Sequence, residues 1–377
     1  PSADGGTSFH SVSSSSAWST VTLQKIWDDA SARNGATFDG RYAYFAPQAG
    51  GVVFRFDTTK NLDDSGAWDR FDTHVAEAPE GVSFAGAAFD GRYVYLAPYA
   101  TVIFRYDTQA PFGEPASWTT FDASAVGGQT FSGVIFDGRY LVFVPLEGAH
   151  VFLRYDTQGA FDAVASWESH AVANVSTDYA EGAFDGRYIY ANASHAIIRY
   201  DTGAPFDVAS SWSSFDPTTV HAGAHLIRGA VFDGQRIWFG AGDDGVALHY
   251  DITGAFTDPT SWTTLDMRSL VPSTWQIVGI GAASFDGRFV YFTAETMHDT
   301  PVTTTDAFVL QCDTLNAFAC SAIDGASLAP GTDSLYTSVF DGRYVYFASD
   351  EDSFVARFDA KSPPALPALP AFHGSFF

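Results

Sequence analysis

The chain has 377 residues and carries 44 acidic against 19 basic side chains, a formal net charge of −25. With three lysines and no basic stripe it lacks the cationic footprint of a nucleic-acid binder or of a protein held on an anionic membrane. Hydrophobic residues make up 46% and aromatics 16%, enough for a packed core, but no apolar run is long enough to span a bilayer.

In chain order, residues 1–16 are rich in Ser and Gly and read as a flexible lead-in. AWSTV around Trp18 then reads as an isolated strand. After it the stretch FDGRY recurs with small variations, its phenylalanines at Phe38, Phe89, Phe136, Phe184, Phe232, Phe285 and Phe340. A repeat of about fifty residues built from short strands is the signature of a β-propeller, one four-stranded blade per repeat. The second copy shows the unit. Residues 83–89 (SFAGAAF) form a first strand, and Asp90-Gly91 follows as a hairpin pair of the type I′ kind. Residues 92–98 (RYVYLAP) form the second strand, with alternating faces, and 102–108 (VIFRYDT) the third. A Pro/Gly/Ala-rich loop leads to the fourth, 117–122 (SWTTFD). Length alone suggests two or three domains. The repeat overrides that prior, because a propeller is one ring.

From the aromatic of the third strand to the next Trp is twelve residues, as in Phe56/Trp68, Tyr106/Trp118, Tyr155/Trp167, Tyr200/Trp212 and Tyr250/Trp262. Phe358 has no Trp after it, whereas Trp18 has the right context and no strand before it. The N-terminal strand is therefore expected to complete the last blade and close the ring, which also removes open strand edges. The expectation is an all-β, seven-bladed propeller of four-stranded antiparallel blades over residues 17–360, almost without helix. The fixed interval assigns the in-register tryptophans to outer-strand packing rather than to sugar platforms. From Lys361 the tail KSPPALPALPAFHGSFF is Pro-rich and extended, a segment that packs on its own protein or meets a protein partner.

The turn, the aromatic strand, the short strand ending in Tyr-Asp and the Trp-bearing outer strand together resemble kelch-type propellers. The paired glycines of a kelch strand are absent; APQ, APY and VPL stand near their place. The resemblance implies the architecture and no activity, since propellers host unrelated functions.

Cys312 and Cys320 take the Tyr and Trp positions of the sixth blade. Residues eight apart across a hairpin can face each other, so a disulfide is expected. With much Ser, Thr and Asn, few lysines and a strongly acidic composition, this points to a secreted or otherwise extracytoplasmic protein. The repeated Asp and Arg residues read as scaffold, Asp capping turns and Arg covering aromatic faces or pairing with Asp between blades.

Function is sought where the repeats differ, on the face that carries the loops around the channel mouth. In blades four to six these loops hold Asp178, Tyr179 and Glu181; His221, His225 and Arg228; Trp275; His195; and Glu295 and His298 in the longest insertion, AETMHDTPVTTTD. Glu181, Arg228, Arg33 and Tyr336 break a small-residue pattern close to the axis, with Glu181 and Arg228 an available pair on neighbouring blades. His195, His221, His225 and His298 with Glu295 form a candidate Zn²⁺ or Cu²⁺ set, without a compact ligand motif. Asp243/Asp244 and Asp350/Glu351/Asp352 are acidic loops for Ca²⁺, without EF-hand spacing. No cofactor is required by any motif.

The leading reading is an extracellular ligand-binding propeller, with a glycan the best candidate, Tyr99, Trp275 and Tyr336 stacking on rings and polar loop residues taking hydroxyls. The second is a polysaccharide-cleaving enzyme at the same face. There His225 or His195 with Tyr179 and Arg228 would suit a lyase, and Asp178 with Glu181 a hydrolase. A structural surface or assembly protein is the third.

Overall fold

The computed structural model describes residues 7–362 except 28–32, 77–82, 147–150, 173–181, 194–195, 225–226, 241–244, 300–302, 317, 330–331, 333 and 350–352, with backbone only at 33, 76, 298–299 and 303–305. It is a seven-bladed propeller of four-stranded antiparallel sheets. The first blade is Arg33–Phe38, Tyr42–Pro47, Val52–Asp57 and Trp68–Asp72 from axis to rim. The last blade takes Thr337–Phe340, Tyr344–Ala348 and Phe354–Asp359 from the C-terminal end and Trp18–Thr22 as its outer strand, with Trp18 paired to Phe358. Only short 3-10 turns interrupt the strands among the described residues.

The ring has a second closure. Ser8–Phe9 pairs with Lys361–Ser362, so the lead-in is pinned from Ser8 onward and the tail begins as a strand. Gln311 holds this segment, accepting from Val12 N at 3.0 Å and donating to His10 O at 2.8 Å. Phe9 lies under Arg288 and Lys361.

The repeated polar residues explain the blade. Asp39 accepts from the backbone N–H groups of Arg41 and Tyr42 at 2.8 and 2.6 Å and from the Tyr44 hydroxyl at 2.6 Å. Burial and that carboxylate raise the pKa of the Tyr44 hydroxyl far above its usual value. In this turn Gly40 alone has positive φ, 101°. The central pair is thus Gly-Arg, with glycine first as in a type II′ turn, not Asp-Gly in a type I′ turn; the aspartate flanks the turn and caps it. Arg41 then pairs with Asp57 at 2.8 Å, within its own blade rather than between blades, and the same pairing recurs at Arg92–Asp107, Arg139–Asp156, Arg187–Asp201, Arg288–Asp313 and Arg343–Asp359.

A different arginine joins the blades. Arg55 on the third strand lies over Tyr42 at 4.2 Å and over Phe112 of the next blade at 4.6 Å, and donates to the Tyr106 hydroxyl of that blade at 3.0 Å. Trp118 stacks on Phe71 of the preceding blade at 4.3 Å and donates Nε1 to Phe112 O. Trp118 is only 5% exposed, so the outer-strand tryptophans are packing residues. Each buries on the order of 200 Å², roughly 5 kcal/mol of transfer free energy before conformational costs.

The sixth blade departs from the others. Its first three strands, Gln276–Phe285, Phe289–Asp299 and Thr303–Asp313, run 10 or 11 residues against 6 in the first blade. The expected insertion is therefore an extended hairpin, consistent with its β-branched threonines. At about 3.3 Å per residue it rises roughly 15 Å above its neighbours. Cys312 and Cys320 face each other across its outer strand pair and form the disulfide, S–S 2.01 Å.

Candidate functional site

Around the axis, the first strands come together through glycine. A Cβ on Gly35 would lie 2.6 Å from Gly86 Cα, and one on Gly86 3.0 Å from Gly133 Cα. One on Gly229 would lie 2.3 Å from Gly281 O. Register shifts at Arg33/Gly35, Phe84/Gly86, Phe131/Gly133 and Arg228/Ala230 mark a bulge in each of these strands. Such bulges re-aim side chains, and here the bulged positions supply the wall of the axial depression.

That depression is open to solvent, spans about 290 Å³ with the open solvent included, and is lined by Asn34, Ala85, Tyr99, Ser132, Arg228, Gly229, Gly281, Ala282 and Tyr336. Asn34 and Ser132 are 3% and 4% exposed and form the polar floor; Tyr99, Arg228 and Tyr336 are half-buried at the rim. Asn34 Nδ2 donates to the Tyr99 hydroxyl, which ties the first blade to the second. Fully buried Asn192 of the fourth blade donates to Gly229 O at 3.4 Å, behind the lining.

Arg228 carries the only formal charge among the described lining residues. A carboxylate stands close to it. The position that a Gly279 Cβ would occupy is 3.1 Å from Arg228 Nη1 and 3.7 Å from Glu295 Oε2. Glycine at 279 leaves room for both groups, and the raised hairpin, in which Gly279 pairs with Glu295, brings the carboxylate there. The mouth thus offers guanidinium and amide donors, amide acceptors, phenolic hydroxyls and two aromatic rings, with a carboxylate near its guanidinium.

Of the residues singled out from sequence, Arg228 and Tyr336 line the mouth and Glu295 stands behind Arg228. Tyr99 also lines it, through its link to Asn34. Trp275 packs edge-on against Phe308 at 5.5 Å, part of the wall of the sixth blade. His221 Nδ1 accepts from Gly223 N at 3.2 Å within its own loop, and its ring is close enough to Asp266 to help hold that carboxyl low, behind the stronger effect of Arg268. His298 belongs to the raised hairpin, where it pairs with Thr304, but its side chain lies outside the described residues. Asp178, Tyr179, Glu181, His195 and His225 also lie outside them, as do the acidic loops at 243–244 and 350–352. Among the described residues no group of three or more His, Cys, Asp or Glu could hold a metal. The described lining is centred on the axis and draws on blades one to three and five to seven.

Sequence reasoning passed over Asn34 and Ser132. The signal was available: Asn34, Ala85, Ser132, Arg228, Gly281 and Tyr336 each stand four residues before a repeat phenylalanine.

Solved structures share this architecture. One, described as streptogramin B lyase, superposes with a TM-score of 0.60 at 12% identity, covering 92% of this chain and 97% of that one. Another, from a mitotic checkpoint complex, gives a TM-score of 0.55 at 11% identity, with 94% and 96% covered. Identities this low show the fold alone. No family model and no curated protein matches the chain.

Proposed function

We propose that this propeller is a ligand-binding protein that takes a neutral, hydroxyl-rich ligand, a carbohydrate, at the axial mouth. The observation that carries this reading is the joint placement of Asn34, Tyr99, Arg228 and Tyr336 around one depression, with Glu295 beside the guanidinium. Vicinal hydroxyls both donate and accept, and a site that holds donors and acceptors together, with a carboxylate near its single guanidinium, suits them. Tyr99 and Tyr336 supply faces for a sugar ring. The disulfide and the acidic surface favour an extracytoplasmic setting, and the strand layout remains kelch-like in this reading.

Cleavage of a polysaccharide is the second reading, favoured by Arg228 lying in the same depression as two tyrosines. A glycan array on the full chain, followed by calorimetry, tests both. Neutral glycans should bind, and Arg228→Met should weaken them at least about tenfold, the value of a charge-assisted hydrogen bond. No bound glycan, or equal affinity in the variant, would overturn the assignment. Product release from the array hits would replace binding with catalysis.

A further inference from the structure

We propose that the seam between the fifth and sixth blades is the acid-labile point of the ring, opened by protonation of His249. At the equivalent third-strand position five blades carry arginine, as Arg55, Arg105, Arg154, Arg199 and Arg357, and the sixth carries Gln311. Arg105 and Arg154 lie over Tyr93 and Tyr140 at 4.3 Å each and reach Tyr155 and Tyr200 of the next blade. At the fifth blade every part of that arrangement is replaced. The acceptor tyrosine of the next blade is Cys312, locked in the disulfide, so an arginine would find no hydroxyl there. The blade's own tyrosine is Arg236, whose guanidinium lies over Phe318 at 5.2 Å. Phe318 comes from the shortened loop of the sixth blade with a left-handed backbone, φ 57°.

His249 fills the space that remains. Its ring lies 4.7 Å from Trp238 and 4.6 Å from Phe318. It is 5% exposed, and neither ring nitrogen has a hydrogen-bond partner. The charges that reach it are Arg236 and Asp233 from its own blade's second strand and turn, and Asp251 from its own strand. Asp233 is already engaged by the N–H groups of Gln235, Arg236 and Trp238, and Asp251 by Thr253. The sixth blade offers Phe318 and a disulfide, neither of which titrates. An imidazolium here is buried, unsolvated and beside a guanidinium.

Burial first, then Arg236, lowers the His249 pKa from 6.5 to about 4. The unfolded or opened chain takes up the proton below about pH 6.5 while the closed seam does not. Stability of the seam is therefore complete above pH 6.5, falls progressively to about pH 4 and falls no further below it.

Hydrogen exchange of the full chain from pH 7 to 4, read by mass spectrometry and corrected for intrinsic rates, tests this. At pH 4.5 the amides of 246–251 and 318–323 should gain on the order of fifty-fold in exchange over pH 7. Those of 102–107 and 151–156, in the arginine-stitched blades, serve as internal controls for general acid loosening. His249→Gln should abolish the excess. The His249 ring proton signal in the unaltered protein should titrate near pH 4, which decides the matter even if the variant does not fold. Titration near 6.5, or exchange at this seam in step with the controls, would overturn the proposal.

Discussion

Replacing Gly35 by alanine tests the closest backbone approach in the ring. The added Cβ would meet Gly86 Cα at 2.6 Å and Gly86 C at 2.8 Å, both backbone atoms of the neighbouring first strand. Carbon atoms pack at about 3.5–4.0 Å, so one inner strand must retreat by roughly 1 Å. Neither strand has a flexible end to yield, which puts the cost at the upper end of overpacking, about 3 kcal/mol. For a chain of 377 residues the unfolding entropy converts this to a fall in Tm of about 4 °C. Gly113→Ala is the control, because nothing lies within 4 Å of a Cβ there. It should leave Tm unchanged or raise it slightly by restricting the unfolded chain. Differential scanning calorimetry of both variants reads the contrast. Gly35→Ala should also weaken the ligand, because Asn34 moves with the strand. Equal melting of the two variants would refute the close-packed axis.

Asp313→Asn should destabilise by about 3 kcal/mol, since it leaves Arg288 without its carboxylate in a largely buried pair, 18% and 8% exposed. Burial pushes the Asp313 carboxyl up, but the hydrogen bonds from Arg288 and the Leu315 backbone outweigh it and hold it below 3.8. The native pair thus contributes fully above pH 3.8 and loses its contribution as pH falls through the lowered value. Denaturant melts of the two proteins should differ by a constant amount from pH 5 to 8 and converge in stronger acid. Reduction of the disulfide, which spans 8 residues, should cost about 2.5 kcal/mol of chain entropy and about 3 °C in Tm, read by scanning calorimetry with and without reductant. Gln311→Met removes the bonds to Val12 and His10 and should expose residues 10–17 to limited proteolysis while the remaining blades stay protected.

The ring was legible because its parts recur. FDG and the Tyr-to-Trp interval appear so often that strand order, blade number and the closure through Trp18 follow from spacing alone. The disulfide was legible for the same reason, since Cys312 and Cys320 occupy two positions of known pairing. The turn class was missed by one residue, because an Asp-Gly pair in a sequence does not show that the aspartate serves as the cap and the arginine as the second turn residue. Arg228 and Tyr336 stood out by breaking a small-residue pattern, whereas Asn34 and Ser132 are small and polar and did not. The approach of Glu295 to Arg228 depends on the register of the long hairpin and on the missing side chain at Gly279, and neither is a property of one stretch of sequence. His249 is visible in sequence only as a departure, with Gln311, from five arginines; its lack of hydrogen-bond partners comes from the blade that follows it.

The central claim, that the ligand enters the axial mouth, is tested most directly by hydroxyl-radical footprinting with the tightest neutral glycan from the array. The account predicts protection of Tyr99 and Tyr336, the half-buried rings of the rim, with no change at rings of the outer strands. Protection confined to the rim of the disc, around Trp18 or Trp212, would contradict it and move the site away from the axis.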